Sequence, residues 1–157
     1  MDAGIKRFIL GIVGSQHDLT LATMRPDGYP QANTVSYVSD GLTLYFGTMR
    51  DSQKVRNLQS CNKISLTIAV PYADWGDIRG LSMGGTAKIL LDDESESRRA
   101  AQLLTKRYPA VLDTPPPGDP AKIVFIKVTP EVVSVLDYRK GFGHTQLVRV
   151  TANDLRC

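Results

Sequence analysis

Apolar and polar residues mostly alternate along this chain with a period of two, the spacing of strands that bury one face. Leu19, Leu21 and Thr23 alternate with Thr20, Ala22 and Met24. QANTVSYV reads as a second strand, and LTLYFGT as a third with Leu42, Leu44 and Phe46 on one face. The turns between them are PDGYP, with Asp27 and Gly28, and Ser39-Asp40-Gly41. Short turns of this kind predict a three-stranded meander. KISLTIAV then sets Ile64, Leu66, Ile68 and Val70 against Ser65, Thr67 and Ala69. IRGLSMGGTAKILL reads as a long strand bent at Gly84-Gly85. KIVFIKVTPEVVSVLDY gives a last strand or strand pair, and the tail RKGFGHTQLVRVTANDLRC follows no clear period.

Three segments switch to helical spacing. Ile5, Phe8, Ile9, Ile12 and Val13 form one apolar stripe. A short helix capped by Asp51 or Ser52 puts Val55 and Leu58 on one side. A third, capped by Asp93 with Glu96 three residues on, buries Ala100, Leu103, Leu104 and Tyr108. Pro71 to Asp77 is a loop carrying the only tryptophan, Trp75, and Asp113 to Pro120 is a rigid proline loop. The order of elements is not βαβ alternation, which argues against a doubly wound sheet. The pattern predicts a mainly β (α+β) protein, a six-stranded antiparallel barrel with flanking helices, as one domain over residues 1–157.

Composition narrows the function classes. The 157 residues are 42% hydrophobic and 22% charged, enough for a core without staples. The net charge of +3 is too small for the basic stripe of a duplex binder. Interleaved aromatics of a single-strand platform are not evident either, so no nucleic-acid partner is expected. No apolar run approaches the length of a membrane span, and Lys6 and Arg7 precede only a short apolar stretch, so no membrane partner and a cytoplasmic location are expected. Cys61 and Cys157 read as free thiols. Two histidines and two cysteines make a protein-built zinc site an unfavourable reading.

The candidate chemistry lies in FGTMRDSQKVRNL. Thr48, Arg50, Ser52 and Lys54 surround a junction between a strand and a helix N-terminus. Free backbone N–H groups and the helix dipole already favour an anion there. Two hydroxyls and two cations add charge-assisted hydrogen bonds, a set suited to a phosphate monoester. A solvated turn with loose charge pairs is the alternative.

The block from Leu21 to Leu58 also resembles the pyridoxamine 5′-phosphate oxidase-like family of flavin mononucleotide (FMN) proteins. The resemblance rests on Asp27, Gly28 and Pro30 in the first turn and on a third strand ending in a threonine. It continues with S-x-K-x-x-N-L at Ser52 to Leu58 and G-x-A at Gly85-Thr86-Ala87. It implies a split β-barrel, usually a homodimer with the cofactor at the interface, and a small-molecule substrate. It implies further that Ser52 and Lys54 hold the FMN phosphate, assisted by Arg50 and Thr48. Backbone groups of Asn33, Thr34, Val35 and Ser36 would meet the polar edge of the ring. Trp75, Arg79 and the Gly84-Gly85 strand would come from a partner subunit. The namesake enzymes end with a Trp and an Arg-Leu-Pro segment. This chain shows neither there, so the resemblance implies a flavin-dependent oxidoreductase of the broader family. Deazaflavin-dependent reductases and non-catalytic flavin or haem modules also belong to it.

Five further residues carry alternatives. His17 reads as a surface or capping histidine. His144 reads as surface or structural, with the flavin pocket or a haem iron as alternatives. Arg139 and Lys140 read as solvated, or as binding an anionic substrate, and Phe142 between two glycines could cover a ring.

Overall fold

The computed structural model describes residues 1–110 and 119–155. The chain is mainly β, an antiparallel sheet curled into a half-barrel with three flanking helices. The elements are α1 (Ala3–Ser15), β1 (Asp18–Met24), β2 (Pro30–Ser36), β3 (Val38–Asp40), β4 (Thr43–Met49) and α2 (Gln53–Ser60). They continue as β5 (Lys63–Val70), β6 (Arg79–Ile89), α3 (Glu94–Arg107), β7 (Ile123–Asp137) and β8 (Thr145–Arg149). The expected proline loop, Asp113 to Pro120, lies almost wholly outside the described residues, and Cys157 lies outside them.

The eight strands order as β2-β1-β5-β6-β7-β4-β3, with β8 on β7. The first and last strands of that path are consecutive in sequence, with only Tyr37 between them. Neighbouring Cα atoms stand about 3.8 Å apart, so the two sheet edges must meet and the sheet must curl. The predicted meander is therefore cut in two. β1–β2 and β3–β4 are both hairpins, but they lie at opposite ends of the strand order. The expected second strand is a strand on each edge in turn, and with β8 from the tail this raises the strand count above six. Val35 and Tyr37 alternate as in one strand, and the only local mark of the crossing is that Val38, also buried, follows Tyr37 directly.

Tyr37 is fully buried and holds the seam. Its hydroxyl donates to the Val13 carbonyl at 2.7 Å, and its N–H donates to His17 O at 3.1 Å. Its carbonyl accepts from Tyr108 Oη at 3.0 Å. Burial pushes the phenol well above its usual range, so it remains a donor. Inward-facing Leu19, Leu21, Phe46, Leu66, Met83 and Val133 share one core with Ile9 and Val13 of α1. α3 covers the other face of β4, where Val38, Tyr45, Leu90 and Ala100 cluster against Leu103, Leu104 and Tyr108. The buried faces read from period are all present.

β7 is one strand of 15 residues despite Pro130. Proline interrupts a ladder except at edges and bulges, and Pro130 lies opposite Gly85, where the register shifts. A Cβ on Gly85 would meet Thr129 O at 2.3 Å. The glycine and the proline thus answer each other across a β-bulge.

Six strands also share an outward row that the register aligns: Thr34, Thr20, Thr67, Ser82, Ser134 and Leu147. The next row is Ala32, Ala22, Ser65, Gly84 and Val132, ending at Arg149 on the edge. This face is small and uncharged up to its rim. Among the described residues no helix is long and apolar enough to cross a membrane.

Replacing Tyr37 by Phe removes the seam hydroxyl and leaves Val13 O without that donor. The expected cost is about 1–2 kcal/mol of unfolding free energy, read from the urea midpoint. An unchanged midpoint would remove this hydrogen bond from the account of closure.

Candidate functional site

β4 ends at Met49, and α2 begins after Ser52, which caps it by accepting from Val55 N at 3.4 Å. Of the two caps allowed by the sequence, Ser52 is the one used, and Asp51 is exposed. Arg50 N–H donates to Lys122 O at 2.7 Å, pinning the turn to the start of β7. That contact brings Lys122, a cation not singled out from the sequence, beside the turn.

Thr48, Ser52 and Lys54 converge. Lys54 Nζ donates to Thr48 Oγ1 at 3.4 Å, and Thr48 Oγ1 lies 3.3 Å from Ser52 Oγ. These contacts are longer than the typical separation of about 3 Å or less, so the groups are only loosely engaged. Elsewhere, Arg25, Lys88, Arg98, Arg99, Lys127 and Arg139 each face a carboxylate. Among the described residues the Arg50 and Lys54 side chains face none. Lys54 is half-buried, and desolvation lowers its pKa below the usual lysine value. A partly dehydrated ammonium with one weak hydroxyl partner, at a helix N-terminus, is a stored preference for an anion.

Asn57 ties this cluster to the sheet. It is fully buried. Its Nδ2 donates to Thr23 Oγ1 on β1 at 2.9 Å and to Gln31 Oε1 on β2 at 3.0 Å. Its Oδ1 accepts from Gln53 Nε2 in the first turn of α2 at 2.8 Å. Reading the sequence missed this role. The available signal was a polar residue beside Leu58 on the apolar side of a short helix.

β2 ends the strand order, so one side of its backbone has no strand partner. Val35 points into the core, while Thr34 and Ser36 are exposed and Asn33 is half-buried. Ser36 Oγ donates to Asp18 Oδ1 at 2.6 Å. The start of β2 abuts α2 through Gln31, and Asn33 to Ser36 run away from it along the free edge.

Trp75 and Arg79 do not join this cluster within the chain. Arg79 pairs with Val70 at the far end of β5, whereas Lys63 begins β5 just after α2. Seven residues of strand separate the two ends by about 24 Å. Trp75 is 69% exposed and stacks on Phe142, which is 85% exposed, at 6.5 Å between centroids; Tyr138 tilts against Phe142 at 5.2 Å. Gly141 and Gly143, both with positive φ, hold Phe142 out at the turn. Gly85 has a packing reason of its own at the bulge.

Arg139, read as solvated or as binding a substrate anion, is exposed but engaged with a buried carboxylate. It donates to both Asp137 oxygens, at 2.8 and 3.0 Å, and lowers the Asp137 pKa. Together with Lys140 and His144 it lines a cavity of about 220 Å³ beside Ile5 and Phe8 of α1. His17 is exposed, and its carbonyl serves the seam. A larger polar hollow of about 890 Å³ lies under α3, but its Lys127 and Arg99 are already paired with Glu96 and Asp40.

Comparison with known proteins follows the geometry. The family model described as pyridoxamine 5′-phosphate oxidase matches residues 5–137. No curated protein matches the chain by sequence. A haem-binding protein from Mycobacterium smegmatis is similar with a TM-score of 0.77 and 18% identity, over 95% of this chain and 59% of that one. This chain thus spans well under two thirds of that protein. A conserved hypothetical protein from Mycobacterium tuberculosis has a TM-score of 0.72 and 23% identity, over 98% and 94% of the two chains. A haem storage protein from Vibrio cholerae has a TM-score of 0.67 and 15% identity, over 80% and 89%. At these identities the structures establish the fold.

Burial makes the charged form of Lys54 unfavourable in the folded protein. Its folded pKa lies below the unfolded value, so wild-type stability rises with pH between the two. Lys54→Met should therefore raise the melting temperature of the ligand-free protein at neutral pH. The gap should narrow as pH approaches 10.5, the ordinary lysine value. A variant that melts lower at pH 7 would show that the ammonium already has a compensating partner.

Proposed function

This chain belongs to the pyridoxamine 5′-phosphate oxidase family, and from that premise we propose that it is an FMN-binding oxidoreductase acting on a small molecule. The observation that carries this reading is the half-buried Lys54, whose one side-chain partner among the described residues is a hydroxyl, beside Arg50, Ser52 and the start of α2. This donor set fits a phosphate monoester: two cations that face no carboxylate among the described residues, two hydroxyls and a helix N-terminus. When bound, a flavin supplies the hydride chemistry itself, and the protein supplies position and electrostatics. Lys54 and Arg50 would hold the phosphate charge. Ser52 and Thr48 would donate their hydroxyl protons to its oxygens. The free edge of β2 from Asn33 to Ser36 would offer backbone N–H and C=O groups to the polar rim of the ring.

The proposal includes a second copy of the chain. The two outward rows across β2, β1, β5, β6, β7 and β8 carry no charge short of Arg149 at the rim, so their interior has none to desolvate. Their small side chains permit close sheet-on-sheet packing. Six strands about 4.8 Å apart and two rows about 7 Å apart make this face about 400 Å². With exposed Trp75 and Phe142 at its end it approaches the roughly 800 Å² per partner of a specific interface. A second copy would also bring Trp75 and Arg79 to a site they do not reach within one chain.

A second reading, a non-catalytic haem module, has one observation in its favour. The His144 ring makes no hydrogen bond among the described residues and lines a cavity. Two of the similar structures are a haem-binding and a haem storage protein. At about 220 Å³ that cavity is smaller than typical ligand pockets, which begin near 300 Å³, and the flavin reading stands ahead of it.

Purified protein should be yellow or take up added FMN. Lys54→Ala should weaken FMN binding by about 1.5–3 kcal/mol, the range for a hydrogen bond to a charged group, measured by flavin fluorescence titration. Protein that ignores FMN but shows a Soret band on haem addition, lost in His144→Ala, would transfer the case to the second reading. The interface has its own check. Thr67→Arg, at the middle of the uncharged face, should convert a dimer to a monomer in sedimentation velocity while leaving the circular dichroism unchanged. A wild-type monomer would end the dimer proposal.

A further inference from the structure

Asn57 has no assigned part in binding, and its hydrogen bonds show what it does. α2 carries Ser52 and Lys54 at one end, and β2 offers its free edge at the other side of the site. Only a few contacts can set the separation between these halves. A continuous chain of side-chain hydrogen bonds crosses it: Gln31 on β2, Asn57, then Gln53 in the first turn of α2, with Thr23 on β1 as a second anchor. Asn57 is fully buried, and both its donor protons and its acceptor oxygen are used. A satisfied buried network of this kind is rigid and specifies one arrangement. An apolar residue at position 57 would fill space without fixing the distance along β2.

We propose that Asn57 is a positioning residue that, through Gln31 and Gln53, holds the phosphate half of the site at the span of one ligand from the β2 edge. This rests on the flavin reading above and deepens it. The strut makes the two halves act together, so a ligand that reaches both gains more than one that reaches only the ring half. A site held at the correct span spares the ligand the cost of ordering it on binding. The discriminating pair of ligands is FMN and riboflavin, which differ by the phosphate alone.

The test compares the affinities of wild type, Asn57→Ala and Gln31→Ala for FMN and for riboflavin, with thermal unfolding of each variant. Gln31 is half-buried on an edge strand, so its truncation keeps the test open if Asn57→Ala fails to fold. The FMN-to-riboflavin affinity ratio should fall at least about fivefold in both variants, with riboflavin binding nearly unchanged, because the lost quantity is preorganisation of the span. A ratio unchanged in folded Gln31→Ala overturns the strut while the flavin reading survives. An equal loss for both ligands marks a merely structural role and also overturns it. Wild-type protein that binds neither ligand overturns the flavin reading, and the strut falls with it.

Discussion

The fold depends on a seam one residue wide. The chain leaves one edge of the sheet at Ser36 and joins the other edge at Val38, so Tyr37 must keep both edges together. Its three polar atoms are bonded to the end of α1, the approach to β1 and Tyr108, the first residue after α3. Those segments arrive from different parts of the chain, and their convergence on one buried phenol closes the curl. Once closed, the inward faces of β1, β4, β5, β6 and β7 bury against each other, with α1, Val55 and Leu58 of α2 and Val35 of β2 in the same core. A flat sheet of the same strands would leave that apolar face wet, so hydrophobic burial and the seam act together.

Closure also decides which outward faces remain. α3 covers β4 on the outside, where Tyr45 Oη donates to Glu96. Among the described residues no helix covers the outward row from Thr34 to Leu147. α2 sits at one end of the barrel, where β4 stops and β5 starts. This arrangement puts Arg50 and Lys54, which face no carboxylate among the described residues, at the end of that face. Stability and binding pull in opposite directions at Lys54. Half-burial penalises its charge in the empty protein, and the same desolvation strengthens its attraction for an anion.

Much was legible in the sequence because period and capping are local. The stripe of α1, the Asp93 cap of α3, the alternation of β1 and β5 and the Asp27-Gly28 turn depend on residues near one another in the chain. The convergence of Thr48, Ser52 and Lys54 was legible for the same reason, since seven consecutive residues contain it. The family resemblance added the meaning of that cluster as a phosphate site.

Other features arise from pairings that no local pattern records. The last β segment read as a strand or a strand pair, and it is one strand because Gly85 stands opposite Pro130 across a bulge. Val35 and Tyr37 alternate as in one strand, and QANTVSYV read as one, although Val38, also buried, follows Tyr37 directly and marks the crossing between edges. Asn57 stood in the sequence only as the asparagine of S-x-K-x-x-N-L, with no role assigned, and its contacts with Thr23 and Gln31, from another hairpin, give it one. By itself the sequence determined most of the elements, their buried faces and the donor set for an anion, because these follow from backbone period and side-chain chemistry; β3 and β8 escaped it. The tertiary structure alone decided the closure, the partner of each glycine and proline, and the separation of the anion cluster from Trp75 and Arg79. Those are set by register between strands distant in sequence, which is a property of the whole sheet.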